Sequence, residues 1–273
     1  MKEIVLNSPW VKKEMELLVQ KKMQNLDEAK NEFQIKQQVN KMAEKMLKRM
    51  FSDFQMKFLN AMGSAMKVFF ENSYQHIIIN ENQIQKLKEL FTSRKGPIIF
   101  CPTHRSYVDF LIISVILYFY GLEAPLICSG EDFLNIPYVV DFLRGSGAFF
   151  MRRTFRGDDL YKSIFYEYVR ELNKQRSIME FFIEGTRSRF NKLMGPKYGF
   201  LSVCTKSFFE KDVDEITFVP VTLNYSKTLE GDTFPGELRG SQKVKESLGR
   251  IISGLEVLTK NLGTMVVDFC DPI

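Results

Sequence analysis

Val39, Met42, Met46, Met50, Phe54, Phe58, Met62 and Met66 recur at steps of three or four, the spacing that lays apolar side chains along one face of a helix. No proline falls between Pro9 and Pro97, so no residue there is barred from a helix by a missing N–H. Residues 1–95 are therefore predicted as a helical N-terminal region. After Lys95-Gly96-Pro97 the pattern changes to short apolar runs alternating with helical stretches, the signature of a sheet covered by helices. Strands are expected at Ile98 to Cys101, Pro125 to Cys128, Ala148 to Met151, Ile178 to Ile183, Ile216 to Leu223 and Met265 to Phe269. Between them, Asp158 to Asn173 reads as a helix, with Leu160, Ile164, Tyr168 and Leu172 on one face and Asp158 and Asp159 at its positive dipole end. No internal repeat or low-complexity segment is visible.

Composition sharpens this picture in a few places. At 273 residues and 45% hydrophobic content the chain has a sizeable core, enough for one large α/β domain with a helical appendage. A net charge of +5 suits phosphate-bearing small molecules or an anionic membrane surface better than nucleic acid, and no nucleic-acid-reading motif is present. The methionine-rich stripe reads first as a packing face. Lys41, Lys45, Lys48 and Arg49 beside it leave interfacial membrane binding as its second reading. Four cysteines without Cys-x-x-Cys spacing and two histidines do not make an ordinary zinc cluster, so reduced structural thiols are expected.

The start of the chain lacks the apolar stretch of a secretory leader and has no Gly at position 2. The longest apolar run, Phe110 to Tyr120, falls well short of the roughly 20 residues of a membrane-spanning helix. Cys270-Asp271-Pro272-Ile273 matches a prenylation pattern only formally, and Cys270 is expected to end a strand, where a longer parent chain was cut.

Four segments carry candidate chemistry. In His104-Arg-Ser-Tyr-Val-Asp109, Pro102 and Thr103 end a strand and Ser106 can cap the apolar helix that follows. Five residues apart, His104 and Asp109 can meet only if the histidine precedes the helix and the aspartate lies within it. Asp109 would then hold one ring nitrogen and leave the other to take a proton from a hydroxyl. A surface histidine beside an unrelated carboxylate is the alternative for this segment alone. In Gly145 to Arg153, a small-residue turn and short strand end on Arg152 and Arg153. Alternation sends one toward a ligand and the other toward solvent or a carboxylate; two solvated arginines are the alternative. Phe181 to Arg189 runs a strand into Glu184-Gly185-Thr186-Arg187, where open α/β sheets place ligands, with a plain structural turn as the other reading. Phe218-Val219-Pro220-Val221 places a proline in a strand, which suggests an edge or a strand end. His76 has no carboxylate or thiol near it and reads as a helix-end or core residue. Cys101 and Cys204 read as packing thiols rather than nucleophiles.

Taken in order, the four segments resemble the four blocks of the glycerolipid acyltransferase family: His104-Arg-Ser-Tyr-Val-Asp109, Gly147-Ala-Phe-Phe-Met-Arg-Arg153, Phe182-Ile-Glu-Gly-Thr-Arg-Ser188 and Val219-Pro-Val221. The joint match is far more specific than any block alone, covers about residues 95–273, and looks most like the branch that acylates dihydroxyacetone phosphate at the start of ether-lipid synthesis. The resemblance implies an α/β fold of the glycerolipid acyltransferase type, a mixed sheet covered by helices, with residues 96–273 as the acyltransferase domain. It implies His104 as general base and Asp109 as its partner, with the acceptor hydroxyl attacking an acyl-CoA thioester directly and no acyl-enzyme. Arg105, Arg152, Arg153, Glu184, Gly185, Thr186 and Arg187 would bind the phosphorylated acceptor, and Pro220 would lie near the acyl site. Acyl-CoA is then a co-substrate, with no metal or other cofactor. Glycerol 3-phosphate is the rival acceptor, and a non-catalytic membrane-binding module is the rival of a different class. The same resemblance implies a peripheral membrane protein of the peroxisome, or else of the mitochondrion or endoplasmic reticulum, although the chain carries no Ser-Lys-Leu terminus.

Overall fold

The computed structural model describes residues 1–24, 31–135, 139–190, 192–231 and 261–273. Helices α1 (Lys2–Asn7), α2 (Pro9–Gln24), α3 (Glu32–Met50) and α4 (Met56–Ser73) precede strand β1 (His76–Ile79) and α5 (Glu81–Ser93). Then follow β2 (Ile98–Pro102), α6 (Asp109–Phe119), β3 (Leu126–Gly130), a 3-10 turn (Glu131–Asn135), α7 (Val139–Gly145) and β4 (Ala148–Met151). The remainder is α8 (Asp159–Lys174), β5 (Ile178–Glu180), α9 (Tyr198–Phe209), β6 (Thr217–Tyr225) and β7 (Thr264–Phe269). The strands form one seven-stranded sheet in the order β1-β7-β6-β2-β5-β3-β4. Every neighbouring pair is parallel except β6 with β7, so the sheet is mixed, as expected.

Strand alternation splits the core into two layers. Ile99, Phe149, Met179 and Phe181 point toward α1, α2, α3, α8 and α9. Ile98, Phe100, Ile178, Val219 and Val221 point to the other face, under α5 and α6. The six expected strands all form, within a few residues of their predicted bounds. α8 also forms, with Asp158 as its N-cap, its side chain accepting the Tyr161 N–H.

The N-terminal region departs from the predicted helical region with a single stripe in two ways. First, the apolar stripe belongs to two helices. α3 joins the first core layer, whereas Phe70 of α4 lies in the second, so the chain passes from one face of the sheet to the other around the edge strand β4. The crossing is fixed from a distance. Arg144 donates to the carbonyls of Lys48, Phe51 and Arg49 at the open end of α3, and the N–H groups of Asp53 and Gln55 donate to the carbonyls of Arg144 and Gly145. Val39, Met46, Met50 and Met62 are buried, Met42, Phe58 and Met66 half-buried and Phe54 exposed, so packing accounts for most of the stripe. Second, His76 opens a strand. Ile77, Ile78 and Ile79 pair with β7 at the sheet edge, and His76 itself is exposed there rather than at a helix end or in the core.

Pro220 lies on β6, an interior strand between β7 and β2, not at an edge. Thr217 N–H points toward β2 and Phe218 N–H toward the chain's last residue, so by alternation the missing donor of Pro220 faces the 270–273 segment. There Cys270 N–H donates to the Pro220 carbonyl, and the next bond is Phe218 with Ile273. The irregular pairing around Asp271-Pro272 absorbs the absent N–H, which is where an interior strand tolerates proline.

Candidate active site

His104 sits between the end of β2 and the start of α6, and Asp109 is the first residue of that helix, the geometry the spacing requires. His104 Nδ1 lies 2.9 Å from Asp109 Oδ2. The same oxygen accepts the N–H groups of Arg105 (2.5 Å) and Ser106 (2.8 Å), and Oδ1 accepts the Tyr225 hydroxyl (2.5 Å). A completely buried carboxylate is tolerable only with such a set of donors, and the positive end of α6 adds to it. Ser106 caps the start of the helix as predicted, its Oγ accepting the Val108 N–H (3.4 Å). Its hydroxyl donates to Glu230, which also accepts the Tyr107 N–H. With Nδ1 donating to Asp109, the neutral ring presents Nε2, which has no hydrogen-bond partner among the described residues.

Three further contacts fix the histidine. Its ring stacks on Phe182 with centroids 4.0 Å apart. Its backbone N–H donates to Glu184 Oε1 (3.0 Å), and its carbonyl accepts from Ser188 N–H (2.7 Å). Glu184 Oε2 accepts the Met194 N–H, so both oxygens of this buried carboxylate are occupied by backbone.

His104 lines a cavity of about 600 Å³, within the size range of small-molecule sites. Of the other predicted residues, Arg152, Arg153, Gly185, Thr186 and Arg187 also line it. Asp109 lies behind the histidine. Arg105, bonded to Asn224 Oδ1, Glu184 and Pro220 are not on its wall. Three of the wall arginines have a carboxylate neighbour: Arg152 with Asp158 (2.5 Å), Arg153 with Asp132, and Arg187 with Glu230 (3.5 Å). Arg187 also lies over the Tyr107 ring at 3.5 Å. Among the described residues, Arg189 and Lys197 bring the cationic side chains on the wall to five, against the single carboxylate of Asp132. Phe110, Phe133, Met151, Phe155, Phe181 and Phe200 supply an apolar part.

Sequence reasoning missed Lys197, Tyr225, Glu230 and Glu180. Lys197 has no carboxylate partner among the described residues; its stem lies against Gly185, where a Cβ would come within 2.8 Å of Lys197 Cδ. Gly185 has φ 64°, which favours glycine there twice over. Tyr225 had a signal: β6 alternates, and Val219, Val221, Leu223 and Tyr225 are its buried set, so a tyrosine there needs a partner for its hydroxyl.

Of the thiols around the site, Cys204 is buried, and Cys101 and Cys128 are half-buried, with Cys128 on the cavity wall. Burial pushes Cys101 up to about 12 and also raises Cys128 and Cys204, so all three stay protonated near neutral pH. Glu180, at the end of β5, is fully buried, and neither carboxyl oxygen has a hydrogen-bond partner among the described residues. Burial, then the Asp109 charge, raises it well above the ordinary 4.5. The unfolded chain ionises Glu180 as pH climbs past 4.5, while the native state keeps its proton, so native stability falls from there up to the native value. Glu180→Gln abolishes that dependence. The melting temperature of the variant relative to the parent is expected to rise as pH climbs above about 5; parallel curves would show that Glu180 is ionised in the native protein.

The family model described as Acyltransferase matches residues 76–224. The dihydroxyacetone phosphate acyltransferase of Oryctolagus cuniculus is 41% identical over 77% of this chain and 31% of its own length. The glycerol-3-phosphate acyltransferase of Pseudomonas fluorescens (strain Pf0-1) is 35% identical over 98% of this chain and 30% of its own. Among solved structures, the 1-acyl-sn-glycerophosphate (LPA) acyltransferase PlsC from Thermotoga maritima aligns with 15% identity and a TM-score of 0.43, covering 100% of this chain and 87% of that one. The chain spans about a third of the length of the curated relatives it matches. The matched region runs from β1 into β6 and includes His104, Asp109 and the cavity wall: the chain belongs to the acyltransferase family.

Proposed function

We propose that this chain carries the catalytic site of an acyl-CoA-dependent O-acyltransferase that acylates the hydroxyl of dihydroxyacetone phosphate, giving 1-acyl-dihydroxyacetone phosphate for ether-lipid synthesis. The observation that carries the reading is the His104 ring, tied to Asp109 through Nδ1, on the wall of a cavity that is both cationic and apolar. Nε2 takes the proton of the acceptor hydroxyl as its oxygen attacks the thioester carbonyl; Asp109 stabilises the imidazolium that forms. The C–S bond then breaks, and the departing CoA thiolate takes the proton back from His104. No step passes through a protein thiol, consistent with cysteines held protonated by burial. The acceptor phosphate is anchored by Lys197 and the guanidinium groups of Arg153 and Arg187. Arg105 and Glu184, assigned to acceptor binding by resemblance, act instead through the backbone corner that holds His104. The apolar wall takes the acyl chain.

The similarity at 41% to an enzyme named for dihydroxyacetone phosphate favours that acceptor. The match to a glycerol-3-phosphate enzyme over 98% of the chain keeps the second acceptor in view. Turnover of each with palmitoyl-CoA by the purified protein decides between them. The expected result is higher kcat/KM for dihydroxyacetone phosphate, and a preference for glycerol 3-phosphate reverses the assignment. Resemblance to the dihydroxyacetone phosphate branch supports a membrane surface of the peroxisome as the site of the reaction. No helix among the described residues is long and apolar enough to cross a membrane.

A further inference from the structure

Between Glu184 and Glu210 the chain has no acidic residue and five basic ones, Arg187, Arg189, Lys192, Lys197 and Lys206. On the loop that follows the Glu184 turn, and at the first residue of α9, four large apolar or aromatic side chains face outward. Phe190 is 67% exposed, Leu193 69%, Tyr198 66% and Met194 39%. Single exposed hydrophobics are ordinary, but four within nine positions form a patch that wants a cover. Their exposure does not come from a detached loop. Met194 N–H is bonded to buried Glu184, Lys197 N–H to the Ile183 carbonyl (2.7 Å) and the Ser188 hydroxyl to the Lys192 carbonyl (2.5 Å). The fold thus holds this backbone down and points the apolar side chains away from the protein. Arg189, which precedes the patch in sequence, and Lys197, which lies within it, also line the cavity, so the patch borders its mouth.

We infer that Phe190, Leu193, Met194 and Tyr198 form the docking surface for an anionic phospholipid bilayer, with Lys192 and Arg189 meeting the lipid phosphates. Aromatic and aliphatic side chains interleaved with cations and free of acids are the composition that enters a charged interface. A second copy of this chain fits less well, because a two-fold contact would set the patch against itself and bring its own cations together. This surface is not the one suggested by the sequence: the methionine stripe of α3 and α4 is largely buried. It is read from its own residues, and only its bearing on acyl-chain delivery rests on the proposed reaction.

Flotation with vesicles tests it without any measurement of turnover. The chain is expected to float with an equimolar mixture of phosphatidylcholine and phosphatidylglycerol, and far less with phosphatidylcholine alone. The double variant Phe190→Ser, Leu193→Ser is expected to lose roughly tenfold or more in partitioning, and Lys192→Glu about tenfold. All three side chains lie outside the cavity wall and are exposed, so both variants are expected to melt with the parent. Flotation unchanged in both variants, or no flotation on either vesicle, overturns the assignment. Self-association that disappears in the double variant overturns it in favour of a second copy.

Discussion

His104→Ala is expected to lower kcat with dihydroxyacetone phosphate and palmitoyl-CoA by roughly 10²- to 10⁴-fold, the range that a positioned general base contributes. The protein should nonetheless fold. The backbone bonds that fix this corner, His104 N–H to Glu184 and Ser188 N–H to the His104 carbonyl, survive an alanine. What is lost is the ring stacked on Phe182 and one partner of Asp109, which keeps Arg105 N–H, Ser106 N–H and the Tyr225 hydroxyl. A stability loss of about 1 kcal/mol is expected for such a partly exposed aromatic contact, read as a small drop in melting temperature. The proposed role of His104 is falsified if the variant, melting within a few degrees of the parent, turns over at a near-normal rate.

The histidine and aspartate were legible because both belong to one short corner, whose geometry follows from strand, turn and helix in sequence order. The same locality explains the six strands after Pro97 and the Asp158 cap of α8. Features made by distant residues were not legible. β1 is four residues long, and only pairing with β7, near the other end of the chain, makes it a strand. The interruption of the long stripe at Phe51 depends on Arg144, 93 residues away, capping its carbonyl. Pro220 signals an edge unless one knows that the irregular 270–273 segment lies opposite it. Within the site, Glu184 resembled a ligand residue because its block ends a strand. Its carboxylate turns inward because two backbone N–H groups, from the His104 corner and the loop at Met194, would otherwise be left without acceptors. Glu230 serves the corresponding purpose for Ser106 and Tyr107.

Asp109→Asn and Asp109→Ala are expected to behave differently, because the carboxylate has two separable tasks: it orients the corner and it carries charge. In the asparagine variant the amide oxygen can stand in the place of Oδ2 and keep the N–H groups of Arg105 and Ser106 and the Nδ1–H of His104. The amide nitrogen then faces the Tyr225 hydroxyl at the former Oδ1 position. A hydroxyl both donates and accepts, so it can turn to receive that bond, and the net cost to folding is about 1 kcal/mol. The negative charge beside the imidazolium is gone, so kcat is expected to fall by roughly 10²-fold or more, with the acceptor KM little changed. Alanine removes the acceptor altogether. Two backbone N–H groups and a buried tyrosine hydroxyl lose their partner, and stability is expected to fall by about 3 kcal/mol or more, on top of the same loss of rate. Urea unfolding and steady-state kinetics on both variants distinguish the tasks. A near-normal kcat in Asp109→Asn removes the electrostatic role, and equal stability of the two variants removes the orienting one. The two effects together would show that one buried carboxylate both builds the corner and makes the histidine on it a base.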